Sequence, residues 1–226
     1  MLAREMDLEN LNQLTERLRT EAIGDPIWIP EKHVYEYKEQ TVEVAVVLKI
    51  TRAAHGINAM HRLCLSGLFI DLGVIYRCVS DCLAEVHFLL EEYPERSSTV
   101  EKFLKYFFSM TIDGHLKSAE QHVQSKEIHN AMVRSLTGKP QDEPVKKMIS
   151  HIYQTFSGYV HAGYAHIMQM YGGAPDFNIG GIPSIKQRTM QMQLVVEGQK
   201  SVIYSIAHAS RKFGLKELYH EAKKWC

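Results

Sequence analysis

The sequence predicts an all-α protein, and three observations carry that expectation. Apolar residues recur at spacings of three and four along most of the chain. Serine, threonine, proline and glycine fall where such helices would start and stop. The one strand-like run, "TVEVAVVL", is valine-rich but has helix-forming sequence on both sides. The expected architecture is an antiparallel bundle of long helices over residues 1–226, with a glycine-rich loop before the C-terminal helices and residues 1–30 as an N-terminal helix and linker appended to it.

Each element has its own signal. Leu8, Leu11, Leu14 and Leu18 place an amphipathic helix over about residues 4–21, and "GDPIWIPE" breaks it. A long helix is expected from Glu31 to Cys64, ended at Ser66-Gly67, and a second from Leu68 to about Tyr93. "YPERSST" supplies a proline and a cap for a third helix starting near Ser98, with a kink at Asp113-Gly114. "LTGKPQDEP" reads as a loop, and Pro144 suits the first turn of a helix running from Val145 to Tyr171. "YGGAPDFNIGGIPS" reads as an ordered glycine-rich loop. Helix resumes near Ser184, stops at Gly214 and is followed by the short segment "LKELYHEAKKW".

Composition excludes several classes. Lysine plus arginine number 26 and aspartate plus glutamate 26, so no overall field recruits nucleic acid, and such binding would need a local patch. The four cysteines (Cys64, Cys78, Cys82, Cys226) form neither a Cys-x-x-Cys pair nor a dense disulfide framework, and the first residues lack an apolar signal core, so a cytoplasmic protein is expected. "LCLSGLFIDLGVIY" is shorter than the ~20 residues of a spanning helix and contains Asp71, so no membrane segment is expected. There is no Gly-x-x-x-x-Gly-Lys loop, no His-Glu-x-x-His and no Gly-x-Ser-x-Gly.

Two polar rows stand out on apolar helices. At about 100° per residue, Ile149, Ile152, Phe156, Val160 and Ile167 form an apolar stripe, and Tyr153, Ser157, His161 and Tyr164 line up along its margin. Side chains there are partly buried and need hydrogen-bond partners, from another helix or from a ligand. Gly158, Ala162 and Ala165 occupy the far side, where a second helix or a second subunit would approach closely. In the helix from Leu68, Arg77, Asp81 and Glu85 follow one another at i+4 steps, flanked by Ile70, Val74 and Phe88. Charges set in an apolar seam are costly unless paired, so the row is either an internal salt-bridge network or a functional site.

These two motifs, Arg77-x-x-x-Asp81 and Tyr153-x-x-x-Ser157-x-x-x-His161, resemble those of an all-helical bacterial family with an Arg-x-x-x-acid helix and a Tyr/Ser/Val-His motif. More distantly, the region from about Val34 to Tyr171 is similar to the HEPN superfamily. Many HEPN proteins are homodimeric, metal-independent ribonucleases of toxin and antiphage systems. The resemblance therefore implies RNA or a nucleotide as substrate, no cofactor, and a homodimer. In that reading His161 is the general acid/base, Arg77 holds phosphate, Asp81 orients Arg77, and Tyr153, Ser157, Tyr164 and Glu85 supply ligand contacts. The superfamily's usual arginine four to six residues before the histidine is absent, since those positions are Thr155, Phe156 and Ser157.

Two other readings compete. One is a non-catalytic, ligand-sensing or partner-binding helical module, favoured by the neutral charge balance and the small-residue face. The other is a helical metalloenzyme, suggested by 12 histidines and by Glu217-x-x-His220. A di-iron bundle needs a second such pair, which the sequence lacks, and His151, His161 and His166 point to different sides of their helix, so no metal is expected.

Overall fold

A computed structural model describes residues 7–109, 122–139, 142–172 and 177–226. The fold is all-α, with nine helices among the described residues packed as a bundle and one short hairpin. Helix α1 (Leu8–Ala22) starts where the Asp7 carboxylate accepts the Asn10 amide, one of the donors a helix N-terminus leaves unsatisfied. Its Leu11, Leu14 and Leu18 are fully buried against α2, α8 and α9, so this helix belongs to the core and is not an appendage.

The break after α1 contains the strands β1 (Ile27–Ile29) and β2 (Val34–Glu36), an antiparallel hairpin that the expected start of a helix at Glu31 overlooked. Tyr35 stacks beside Trp28 at 5.0 Å, a cross-strand aromatic pair of the kind that stabilises such ribbons. Helix α2 (Val42–Ser66) therefore begins at its Thr41 cap, eleven residues or so later than the sequence suggested. "TVEVAVVL" is helical because Val42, Val44, Ala45, Val46 and Val47 all reach the core, which outweighs valine's strand preference.

Gly67 ends α2 at φ +74, and a Cβ there would meet the Ile182 carbonyl at 2.6 Å. The glycine-rich loop is docked at this point, with the Ile182 amide donating to the Gly67 carbonyl at 2.9 Å. Helix α3 (Phe69–Glu91) is the central rod and packs against α2, α5, α6 and α8. Helix α4 (Ser98–Ser109) starts as expected, and the kink expected at Asp113-Gly114 lies outside the described residues. The remaining helices are α5 (Ser125–Thr137), α6 (Glu143–Val160), α7 (Tyr164–Met168), α8 (Ile185–Lys212) and α9 (Lys216–Lys223). Pro144 sits in the first turn of α6, Ser184 caps α8, and Gly214 takes φ +78 beyond its end.

The helix expected to run unbroken from Val145 to Tyr171 is two helices. It stops at His161 because the next residues close a Schellman turn: the Ala162 amide donates to the Tyr159 carbonyl and the Gly163 amide to the Gly158 carbonyl, at 3.2 and 2.9 Å. Ala162 takes φ +48 there, a conformation that disfavours any residue with a Cβ. The turn folds His166 back onto Gly158, in space that a side chain at 158 would fill. Gly158 is thus small to admit an imidazole of its own chain, which corrects its assignment to a close-packed partner helix. Ala162 and Ala165, on either side of the break, do not continue a common face with it.

Candidate functional site

Helix α6 crosses α3 antiparallel through three successive rungs. The Tyr159 ring lies on Gly73, where a Cβ would come within 2.6 Å. Phe156 packs on Tyr76 with ring centroids 4.4 Å apart. Arg77 spreads its guanidinium over the Tyr153 ring, 3.2 Å from the centroid, a cation–π contact. One small residue, one aromatic and one arginine thus set the spacing between the two helices.

The third rung is the polar one. Arg77 Nε donates to Asp81 Oδ2 at 2.9 Å and Nη1 donates to the Tyr153 carbonyl at 3.0 Å. The arginine side chain is 11% exposed, whereas Asp81 is 43% exposed, so the pair sits at the edge of the protein interior. A guanidinium has five N–H donors. Two are used by these partners, which leaves the far edge of the group without a partner among the described residues. On the other side of Tyr153, His129 from α5 meets its ring edge-on at 5.0 Å. Burial pushes the His129 pKa below the ordinary imidazole value; the Asp81 carboxylate opposes that shift and Arg77 adds to it.

Arg77, Tyr153 and His129 form a junction between two cavities. The larger, about 390 Å³, lies between α3, α5, α6 and α8 and is walled by apolar groups such as Val79, Leu83, Met132, Ile149, Ile152 and Phe156. The smaller, about 230 Å³, is polar and reaches Glu85, His122 and Ser125 beyond the junction. His87 lies on the wall of the larger cavity, stacks between Tyr204 and His208, and has a pKa lowered to about 4, by burial first and by His208 second.

The sequence-derived site is therefore split. Arg77, Asp81 and Tyr153 come together as one cluster. Glu85 is ion-paired with Lys49 at 2.5 Å, under the faces of Phe103 and Phe107, and borders only the smaller cavity. His161 does not join Arg77. It is exposed at the end of α6, about 12 Å along the axis from Tyr153 at 1.5 Å per residue. The direction of the rungs explains this, because α6 runs past Gly73 toward the start of α3 before it reaches His161. Ser157 is half-buried and borders neither cavity, and Tyr164 is 81% exposed on α7. Of the expected apolar stripe, Ile149 is buried and Ile152 and Phe156 wall the cavity, but Val160 and Ile167 are exposed.

His129 is the functional candidate that sequence reasoning missed. Its signal was faint: a histidine beside the apolar positions Ile128, Ala131 and Val133 of an amphipathic helix.

Among the described residues, no group of three or more histidine, cysteine, aspartate or glutamate side chains could hold a metal ion. Glu217 and His220 are both exposed on α9. No described helix is long and apolar enough to cross a membrane. No protein-family model matches this chain, and neither does any curated protein or any solved structure.

Proposed function

We propose that the chain is a ligand-binding helical protein, with the cleft between α3, α5, α6 and α8 as its site. The observation that carries this reading is the combination of an apolar cavity of about 390 Å³ with a largely buried guanidinium on its wall. Small-molecule sites are typically cavities of about 300–1,000 Å³, mostly apolar, with a few polar groups that fix orientation. The polar groups on its wall include Arg77, Asp81, His129 and Tyr153 on the side of α3, α5 and α6, and Lys200, Ser201 and Tyr204 on α8. Such a module senses or carries its ligand and needs no catalytic step.

The test uses a fluorescent probe with an apolar body, 1-anilinonaphthalene-8-sulfonate. Ser201 is exposed and borders the cavity, so Ser201→Trp fills the mouth without disturbing the core. The expected result is probe binding by the native chain and its loss in Ser201→Trp at unchanged melting temperature. Equal binding by both would place the probe elsewhere and contradict the reading.

A second reading follows the HEPN resemblance, and the direct contact between Arg77 and Tyr153 favours it, since each belongs to one of the two motifs. Under it the chain is a metal-independent ribonuclease or nucleotide-handling protein. His161 acts as general acid/base at the surface, in a homodimer. Ten of the exposed large apolar residues fall between Met148 and Met190, among them Tyr164, Ile179 and Ile185, which is the surface such a dimer would use. The four free thiols suit a reducing, cytoplasmic setting. RNA cleavage by the purified chain, lost in His161→Ala, is the expected result; intact RNA with both proteins would contradict it.

A further inference from the structure

The two cavities differ in chemistry yet share a wall. Arg77, Asp81, Ala84, His129 and Tyr153 border both. A molecule in the larger cavity can thus set a polar end against Arg77, Asp81, His129 and Tyr153, the polar groups both cavities share.

The buried cation at this junction, Arg77, has unused hydrogen-bonding capacity. The outer edge of the Arg77 guanidinium has no partner among the described residues. The His129 and His122 rings offer ring N–H groups, and Ser125 offers a hydroxyl. The first turn of α5 also borders this cavity, through Ser125 and Ile128, and its cap residue Gln124 makes no side-chain hydrogen bond to it. Each carboxylate nearby is paired with a cation: Asp81 Oδ2 accepts from Arg77 Nε, and Glu85 is ion-paired with Lys49. A largely buried guanidinium with an unused N–H edge favours a ligand end that accepts hydrogen bonds.

Charge narrows the choice. The four charged groups, Arg77, Lys49, Asp81 and Glu85, cancel. A singly charged head group meets half the repulsion from Asp81 and Glu85 that a doubly charged phosphate would meet.

We infer that the ligand is an amphipathic monocarboxylic acid. Its hydrocarbon or aryl body fills the apolar cavity, and its carboxylate lies against the free edge of Arg77, beside His129. The inference rests on the ligand-binding reading above and adds the identity of the head group.

The experiment compares three probes by displacement of 1-anilinonaphthalene-8-sulfonate and by calorimetry: decanoate, 1-decanol with the same body but no charge, and acetate with the head alone. Decanoate is expected to bind about tenfold tighter than decanol, the scale of one charge-assisted hydrogen bond in a sheltered site. Acetate is expected to bind too weakly to measure. Arg77→Gln is expected to bring decanoate down to the affinity of decanol. If that variant does not fold, the decanoate-to-decanol ratio of the native chain carries the test alone. Equal affinities for the two would overturn the carboxylate and leave the cleft in place. Failure of both to displace the probe would overturn the cleft itself.

Discussion

Helices α2 and α6 pack against the same central helix, α3, in opposite ways. Along α2, twelve of 25 residues are buried, and Ile50, Ile57 and Met60 are completely so. Along α6, Ile149 is the one buried residue of 18. The α2 face is filled by fully buried side chains. The α6 face is held off by its aromatic rungs and encloses a cavity. The same rod thus has one side specialised for stability and one for a site, and the side that packs less completely carries the arginine and the histidine.

The largest effect that would sharpen this contrast comes from trimming equal side chains on the two faces. Ile57→Ala, in the filled seam, is expected to cost about 2–5 kcal/mol in urea denaturation. Ile152→Ala, on the cavity wall, is expected to cost about 1 kcal/mol or less. Equal costs would break the comparison.

Acid is expected to act through His87, buried on the cavity wall. Its folded pKa, lowered to about 4, lies below the ordinary value near 6.5, so the unfolded chain takes up the proton first. The associated stability is whole above pH 6.5 and is lost as pH falls from 6.5 to 4. It amounts to something on the order of 3 kcal/mol. His208 and His129 shift in the same direction. His87→Gln should therefore flatten, without abolishing, the fall in denaturation midpoint between pH 7 and pH 4.5.

A smaller effect is expected from the polar rung. A double-mutant cycle of Arg77→Gln and Tyr153→Leu should give a coupling of about 0.5–2 kcal/mol, in keeping with a cation–π contact partly withdrawn from water. Additive effects would mean that the stack contributes nothing. The smallest change is at the break between α6 and α7. Ala162→Gly relieves the positive φ and is expected to raise stability by about 0.5–1 kcal/mol, read as a higher urea midpoint.

Much of the fold was legible from local rules. The Ser184 cap, Gly67 and Gly214 at helix ends, Pro144 in a first turn and the leucines of α1 each act within a few residues of where they stand. The break after Val160 was not legible, because its Schellman turn places alanine, not glycine, at the left-handed position. The hairpin was hidden in a segment of only three residues per strand. At the site, Arg77 with Asp81 is a local pair on one helix and could be read. Its stacking on Tyr153 and the approach of His129 depend on how three helices distant in sequence cross, which periodicity does not encode. That is why His161, four residues along the same row from Ser157, looked equivalent to a residue the crossing leaves outside.

The central claim is that the face between α3 and α6 is a ligand site, and hydrogen exchange of the backbone amides tests it most directly. With saturating decanoate or 1-decanol, amides of residues 149–157 in α6 are expected to exchange more slowly while those of α2 stay unchanged. Exchange in α6 that neither compound alters would contradict the account.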